Sequence, residues 1–325
     1  MHALGRTKPH ESSRRDPVSP AGSLGTLSTG LSPEDLNWVA RGREASFKRQ
    51  AMRFVRTFRD PRVSVPSAIL LLIVLACFAG PAVFNLPKPN VGKLSQELLP
   101  VGSPGHLLGT NNLGNDMLSR LLNGGQVSII VGVVATALGF GTGVVLGTVA
   151  GYYRGLTEAA ILRIFDVLFA FPGLILALAI ATYLGPSLWH TVWAIGFFGI
   201  AGFGRLSRGL TVRVRNLDYV QSARIAGTRG WRIVFGHILP NIFPPLLTFA
   251  MFGIGIAMVA EAGLSYLGLG IQIPNPSWGN LIASAQDYLT SNPRLIILPA
   301  VALFVTVLCI NLLTDALRDR LGVER

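Results

Sequence analysis

Charge is what this 325-residue sequence has least of: only 14% of its residues are Asp, Glu, Lys or Arg, against about 25% in an ordinary soluble domain. Beside a hydrophobic share of 50%, that deficit excludes a disordered chain and argues against a soluble enzyme. Cysteine is scarce too. Cys77 and Cys309 each sit inside a long apolar run, so they imply no disulfide framework and read as small buried apolar residues. Lysine occurs only as Lys8, Lys48, Lys88 and Lys93, followed by Pro, Arg, Pro and Leu. None fits the G-x-x-x-x-G-K loop, closed by Ser or Thr, that cradles a nucleotide's phosphates. The chain therefore supplies no standard P-loop ATPase. His2, His10, His106, His190 and His237 form no HExxH, and no CxxC occurs, so nothing in the pattern argues for a metal centre. No cleavable signal peptide is visible either, because the first apolar run starts near Val65.

What the sequence does have is long apolar runs. Six qualify or come close to the roughly 20 residues a bilayer core requires: 65–84, 127–150, 159–184, 188–203, 242–260 and 295–313. Backbone groups in lipid must be satisfied internally, so each is expected to be a helix. The fold class expected is all-α integral membrane with six transmembrane helices. Gly185-Pro186-Ser187 reads as a tight hairpin turn between the third and fourth. Residues 1–45, rich in Ser, Pro, Gly and Arg, read as a disordered tail. Residues 46–64 read as a basic amphipathic helix along the membrane, in which Phe47, Phe54, Val55 and Phe58 interleave with Lys48, Arg49, Arg53 and Arg56. A nucleic-acid-binding helix is the competing reading, disfavoured by the adjoining span. Residues 65–325 form the six-span domain.

The basic residues then fix an orientation. With both termini cytoplasmic, 23 of the 28 fall on the cytoplasmic side, Lys88, Lys93, Arg120 and Arg294 fall outside, and Arg163 lies within a span. Long tails weigh little in this rule, but the seven arginines of 205–240 lie in a short loop, where it applies with full force.

That loop holds the most informative stretch, LDYVQSARIAGTRGWRIVFGHILPN, residues 217–241. It reads as two short helices joined by a bend at Gly227–Gly230, with Asp218 in the first turn of the first and Trp231, Ile233, Val234 and Ile238 in the second. The stretch resembles the EAA motif of ABC importer permeases through Gln221-Ser222-Ala223, then Gly227, then Leu239-Pro240, with Gln and Ser where that family usually has Glu and Ala. A surface helix with no partner is the plainer alternative.

Three further segments resemble the dipeptide/oligopeptide/nickel branch of that family: HLLGTNNLGNDMLSRLLNGGQVSIIVG (106–132), EAGLSYLGLGIQIPNPSWGNLI (261–282) and NLLTDALRDRL (311–321). Residues 47–81 resemble the N-terminal module of its C-type subunits. The resemblance covers about 45–325 and implies a permease subunit of an ATP-driven importer for di- or oligopeptides, in the bacterial cytoplasmic (inner) membrane. It implies as partners a second homologous permease, one or two ABC ATPase subunits carrying ATP and Mg, and an extracytoplasmic substrate-binding protein. No cofactor is expected in this chain and no nucleic acid among its partners. It further implies that the paired helices between spans four and five couple to the ATPase through Gln221, Ser222, Ala223, Arg224 and Gly227. Glu261, Pro274, Pro276 and Trp278 would lie at the outer mouth or against the binding protein. Nickel import is the nearest alternative; a stand-alone channel or secondary transporter is the alternative of another class.

Other features stay open at this stage. Arg163 and Asp166, three apart on one helix, can pair with each other or mark a path. Glu261 can face the path or a docked protein, or cap a helix. The Pro- and Trp-bearing outer segment can equally be an interfacial anchor. The glycines Gly139, Gly143 and Gly147 mark close helix packing within the bundle.

Overall fold

A computed structural model describes residues 60–320, which are helical and irregular with no β-strand among them. The tail expected over 1–45, and the basic helix of 46–64 up to residue 59, lie outside the described residues.

The helices are α1 (Pro61–Val83), α2 (Met117–Tyr153), α3 (Gly155–Phe169), α4 (Gly173–Leu184), α5 (Leu188–Arg215), α6 (Asp218–Ile225), α7 (Gly230–Ile233), α8 (Leu239–Tyr266), α9 (Trp278–Ser284) and α10 (Arg294–Arg320). Among the described residues, four stretches are long and apolar enough to cross a membrane: α1, α2, α10 and the continuous run Gly230–Tyr266. The pair α3 and α4 qualifies only as a unit, because the two are bent by 80° at their break. The 28-residue α5 has the length but carries Arg205, Arg208, Arg213 and Arg215 towards its C-terminus.

Two expectations need correction. The third apolar run is not one helix. It breaks at 170–172, where Pro172 lacks the N–H that would continue α3 and stands as the N-cap of α4. Both halves still follow α5, with Phe165 packed on Ala201 and Ala177 on Ala194. Nor is the loop between the fourth and fifth runs a pair of separate helices. Only α6 stands apart. The second helix, α7, passes through a π-helical turn at Val234–Ile238 directly into α8. Pro240 stands just after that π turn, and the helix continues through it instead of ending there.

The packing seam is made by absent side chains. On α2, Gly139, Gly143, Gly147 and Gly151 share one face, and that face lies directly on the backbone of α5. A methyl group built at Gly139 would stand 2.9 Å from the Gly196 carbonyl oxygen, and one at Gly151 would stand 2.8 Å from that of Arg208. One at Gly143 or Gly147 would collide with the Ile200 or Gly204 carbonyl. Close approach trades side-chain bulk for backbone contact, the usual currency of helix association in lipid. Proline is accommodated just as specifically. Pro81 leaves the Cys77 carbonyl without its helical donor, and the Gln126 side-chain amide of α2 donates to that oxygen at 2.6 Å.

At about 1.5 Å per residue, the 37-residue α2 is roughly 55 Å long, well beyond a hydrocarbon core of about 30 Å. Its two ends belong to different surroundings. Tyr152 meets Gly230 near the α6 end of the bundle, while Leu121 and Ser128 meet Trp278 at the α9 end.

Candidate functional site

At the first end, α6 is amphipathic in a way its sequence dictates. Val220 is buried among Ile233, Val234, Ile238 and Ile242, with Ala223 packed against the same cluster. Gln221 is half-buried and its amide donates to the Arg215 carbonyl at 3.1 Å, tying α6 to the end of α5. Ser222, Arg224 and Gly227 face out, and Ile225 is 87% exposed. The five residues expected to couple thus divide: Gln221 and Ala223 hold the helix to the bundle, Ser222 and Arg224 lie on its free face, and Gly227 is exposed just beyond its end. The helix stops at Gly227, whose φ of +76° suits glycine. Its N–H donates to Arg224, and that of Thr228 to Ala223, closing off the last carbonyls. The His237 ring lies against Tyr219 with 6.3 Å between centroids, a packing contact.

Beside α6, charged side chains fasten α3 to α5. Arg208 donates from Nε to Glu158 at 2.7 Å, and Arg154 stands 3.7 Å from the same carboxylate. One turn away, Arg205 donates to Asp166 at 2.6 Å and lies over the Phe169 ring, 4.5 Å from its centroid. Asp166 therefore pairs with Arg205 and not with Arg163, which is exposed. Neighbours on one helix can meet, but here the tertiary partner is better placed.

The other end is a closed polar cluster. Glu261 of α8 is completely buried. Its two carboxyl oxygens accept from Ser128 of α2 and Ser265 of α8, each at 2.7 Å. Each serine oxygen in turn accepts a backbone N–H, Ser128 from Trp278 at 3.2 Å and Ser265 from Ile271 at 3.0 Å. The Trp278 indole donates to the Leu121 carbonyl at 3.0 Å. Ser277 and Asn280 cap α9 reciprocally, and the Asn280 amide also reaches back to Asn275 at 2.7 Å. Gly279 is needed because a methyl group there would lie 2.5 Å from the backbone of Ala262. Of the four residues expected at an outer contact surface, Glu261, Pro276 and Trp278 are buried and only Pro274 is exposed, within 272–275. The correction has a plain cause. A carboxyl group and an indole N–H inside apolar surroundings must find partners, and here those partners are inside the chain.

His106 meets Asp116 at 2.8 Å near the start of α2, whose first turn Asp116 caps through Ser119. Its environment, and that of Ser128, Glu158 and Arg205, escaped sequence reasoning. The one available signal was the acids Glu158 and Asp166, eight apart and so on one face of α3, requiring cations on a neighbouring helix.

Comparison with known proteins agrees with this architecture. Residues 143–322 match the family described as binding-protein-dependent transport system inner membrane component. The chain is 38% identical over 280 residues to the glutathione transport system permease protein GsiD of Pectobacterium atrosepticum, spanning 86% of this chain and 93% of that one. It is 38% identical over 277 residues to GsiD of Escherichia coli O6:K15:H31, spanning 82% and 88%. A Brucella suis protein named as a permease of a peptide transport system is 37% identical over 273 residues, spanning 83% and 91%. With its stacked apolar helices, the chain belongs to the binding-protein-dependent transport system inner membrane components, the permeases of bacterial ABC transporters.

Proposed function

We propose that this chain is one of two membrane-spanning subunits of an ATP-driven importer for di- and oligopeptides. Its six spans are α1, α2, the broken pair α3 and α4, α5, the run Gly230–Tyr266, and α10, with both termini cytoplasmic. The observation that carries the reading is α6: a short helix with an exposed outer face, joined to α5 on one side and, through the Gly227 turn, to a helix continuous with a span on the other. A push on its outer face is transmitted to two spans without an intervening flexible loop. In this reading the outer face docks on a cytoplasmic ATPase that binds ATP and Mg, a second permease completes the path, and a binding protein delivers the peptide at the α9 end. The exposed segment 272–275, with Pro274, is the contact this chain offers there; Glu261, Pro276 and Trp278 brace it from within. The chain performs no covalent chemistry. It is a two-state element biased by ATP bound elsewhere. Relatives named for glutathione and for peptide transport support a peptide cargo, glutathione being a tripeptide.

Purification of the tagged chain from its native membrane in mild detergent tests the reading. Recovery of a second permease and a P-loop ATPase, with uptake into liposomes that requires ATP, is the expected result. A chain that purifies alone and transports without ATP overturns it in favour of a channel or secondary transporter.

A further inference from the structure

Between α4, α5 and α8, over a floor formed by α2, lies an open-sided cleft of about 520 Å³, within the range of roughly 300–1,000 Å³ typical of small-molecule sites. Its surface is aromatic: Phe169, Phe198, Phe203, Phe249 and Phe252 line it, and no ionisable side chain does. Thr136 supplies the one polar side chain. The rings hold one another edge-on, Phe169 against Phe198 at 5.9 Å and Phe203 against Phe249 at 5.3 Å between centroids, so the walls are stiff. Glycines create the space. A methyl group built at Gly202 meets nothing within 4 Å, so the cleft begins where that side chain is missing.

The position of the walls separates this cleft from an ordinary lipid-facing groove. α5 is joined to α6 by the two-residue turn at 216–217, and α8 continues the helix that follows the Gly227 turn. The third wall, α4, starts at the break after Pro172, beside the Arg205 clasp on Phe169. Two of the three walls are therefore attached to α6, and any movement of that helix reshapes the cleft.

We propose that this cleft receives an apolar side chain of the peptide in transit, and that it favours short peptides bearing an aromatic or bulky aliphatic residue over compact anionic ones such as glutathione. The inference rests on the reading of the chain as a peptide permease. An aromatic side chain exchanges water for five phenyl rings there, while the peptide's backbone and termini stay at the open side. A carboxylate would lose water and find no cation.

The test uses the whole transporter, with its ATPase and binding protein, in liposomes. ATP-driven uptake of Ala-Phe-Ala and Ala-Ala-Ala is compared between the natural complex and Gly202→Leu, which puts a side chain into the cleft from a position where a methyl group meets nothing within 4 Å. Uptake of Ala-Phe-Ala is expected to fall about tenfold or more, the scale on which apolar pockets discriminate, with Ala-Ala-Ala within about twofold of the natural complex. As a second variant, Gly202→Cys is labelled with a maleimide. Ala-Phe-Ala is expected to slow the labelling severalfold, and Ala-Ala-Ala and glutathione to leave it unchanged. Equal losses for both peptides, no loss for either, or protection by every peptide alike would overturn the inference. So would separation of the second permease from Gly202→Leu, which would make the cleft a subunit seam, or labelling blocked without peptide, which would make it a seat for lipid. Those results leave the peptide-permease reading intact. Absence of ATP-driven uptake of any peptide by the natural complex would instead refute that reading, and this inference with it.

Discussion

Gly227 and Gly268 are the same device in two settings. Each ends a helix at a φ of +76°, and each is followed by paired hydrogen bonds back to the last turn, from Gly227 and Thr228 in one case and from Gly268 and Leu269 in the other. After Gly268 the chain turns inward, and Gly270, Ile271 and the stretch 276–280 are buried around Glu261. Before Gly227, the outer face of α6 stays exposed, and a single side-chain hydrogen bond from Gln221 fastens it to the end of α5. Local chemistry writes the same turn twice. What lies beside the turn makes one end of the bundle a locked cap and the other a free handle.

Both ends depend on the α2–α5 seam, so the largest effect comes from breaking it. Gly147→Val drives a branched side chain into the Gly204 backbone; no folded, detergent-soluble protein is expected on size-exclusion chromatography. Next is the cap itself. Glu261→Gln replaces two accepting oxygens with one oxygen and an NH2 group. One of Ser128 and Ser265 then faces the NH2 group, and its own buried O–H loses the carboxyl oxygen it donated to, although its oxygen can still accept the Trp278 or Ile271 N–H. A destabilisation of about 3 kcal/mol is expected, seen as a lower thermal midpoint, with the ATPase still co-purifying with the surviving folded fraction.

The sharpest contrast pairs the two glycines. Valine at either position pays roughly 1–2 kcal/mol of left-handed backbone strain. Gly268→Val is expected to lower the thermal midpoint and leave uptake per ATP hydrolysed unchanged. Gly227→Val should do the reverse: α6, packed on one face only, can fray to relieve the strain, which uncouples hydrolysis from uptake while the midpoint stays nearly constant. Unchanged uptake in Gly227→Val would remove the case for α6 as the coupling element. The smallest effect belongs to Gln221→Ala, which removes one donor to the Arg215 carbonyl. About 1 kcal/mol of the hold between α5 and α6 is expected to go, read as faster amide exchange confined to 216–226.

Much of this was legible in the residues. The long apolar runs, the hairpin at 185–187, the glycine seam and the turn at Gly227 follow from period, composition and backbone freedom, which are local properties. The Pro172 break was legible in principle, since proline after an apolar run signals a boundary. It was missed because hydropathy averages across a single residue. The partner of Asp166 was left open for a different reason. Sequence spacing shows Arg163 within reach but says nothing of Arg205, 39 residues on. The burial of Glu261 and Trp278 was hidden in the same way, because Ser128 lies 133 residues from Glu261 and 150 from Trp278.

The sequence by itself determined that the chain is a bundle of apolar helices, where the apolar centre of each lies, and that its lysines fit no P-loop. Those follow from solvent exclusion and helix geometry acting on neighbouring residues. Only the tertiary structure decided which polar groups inside that bundle are satisfied, which helix face is left free, and where a cleft opens. Each of these depends on atoms brought together from distant parts of the chain, and a buried polar group or an empty volume is defined only by what surrounds it.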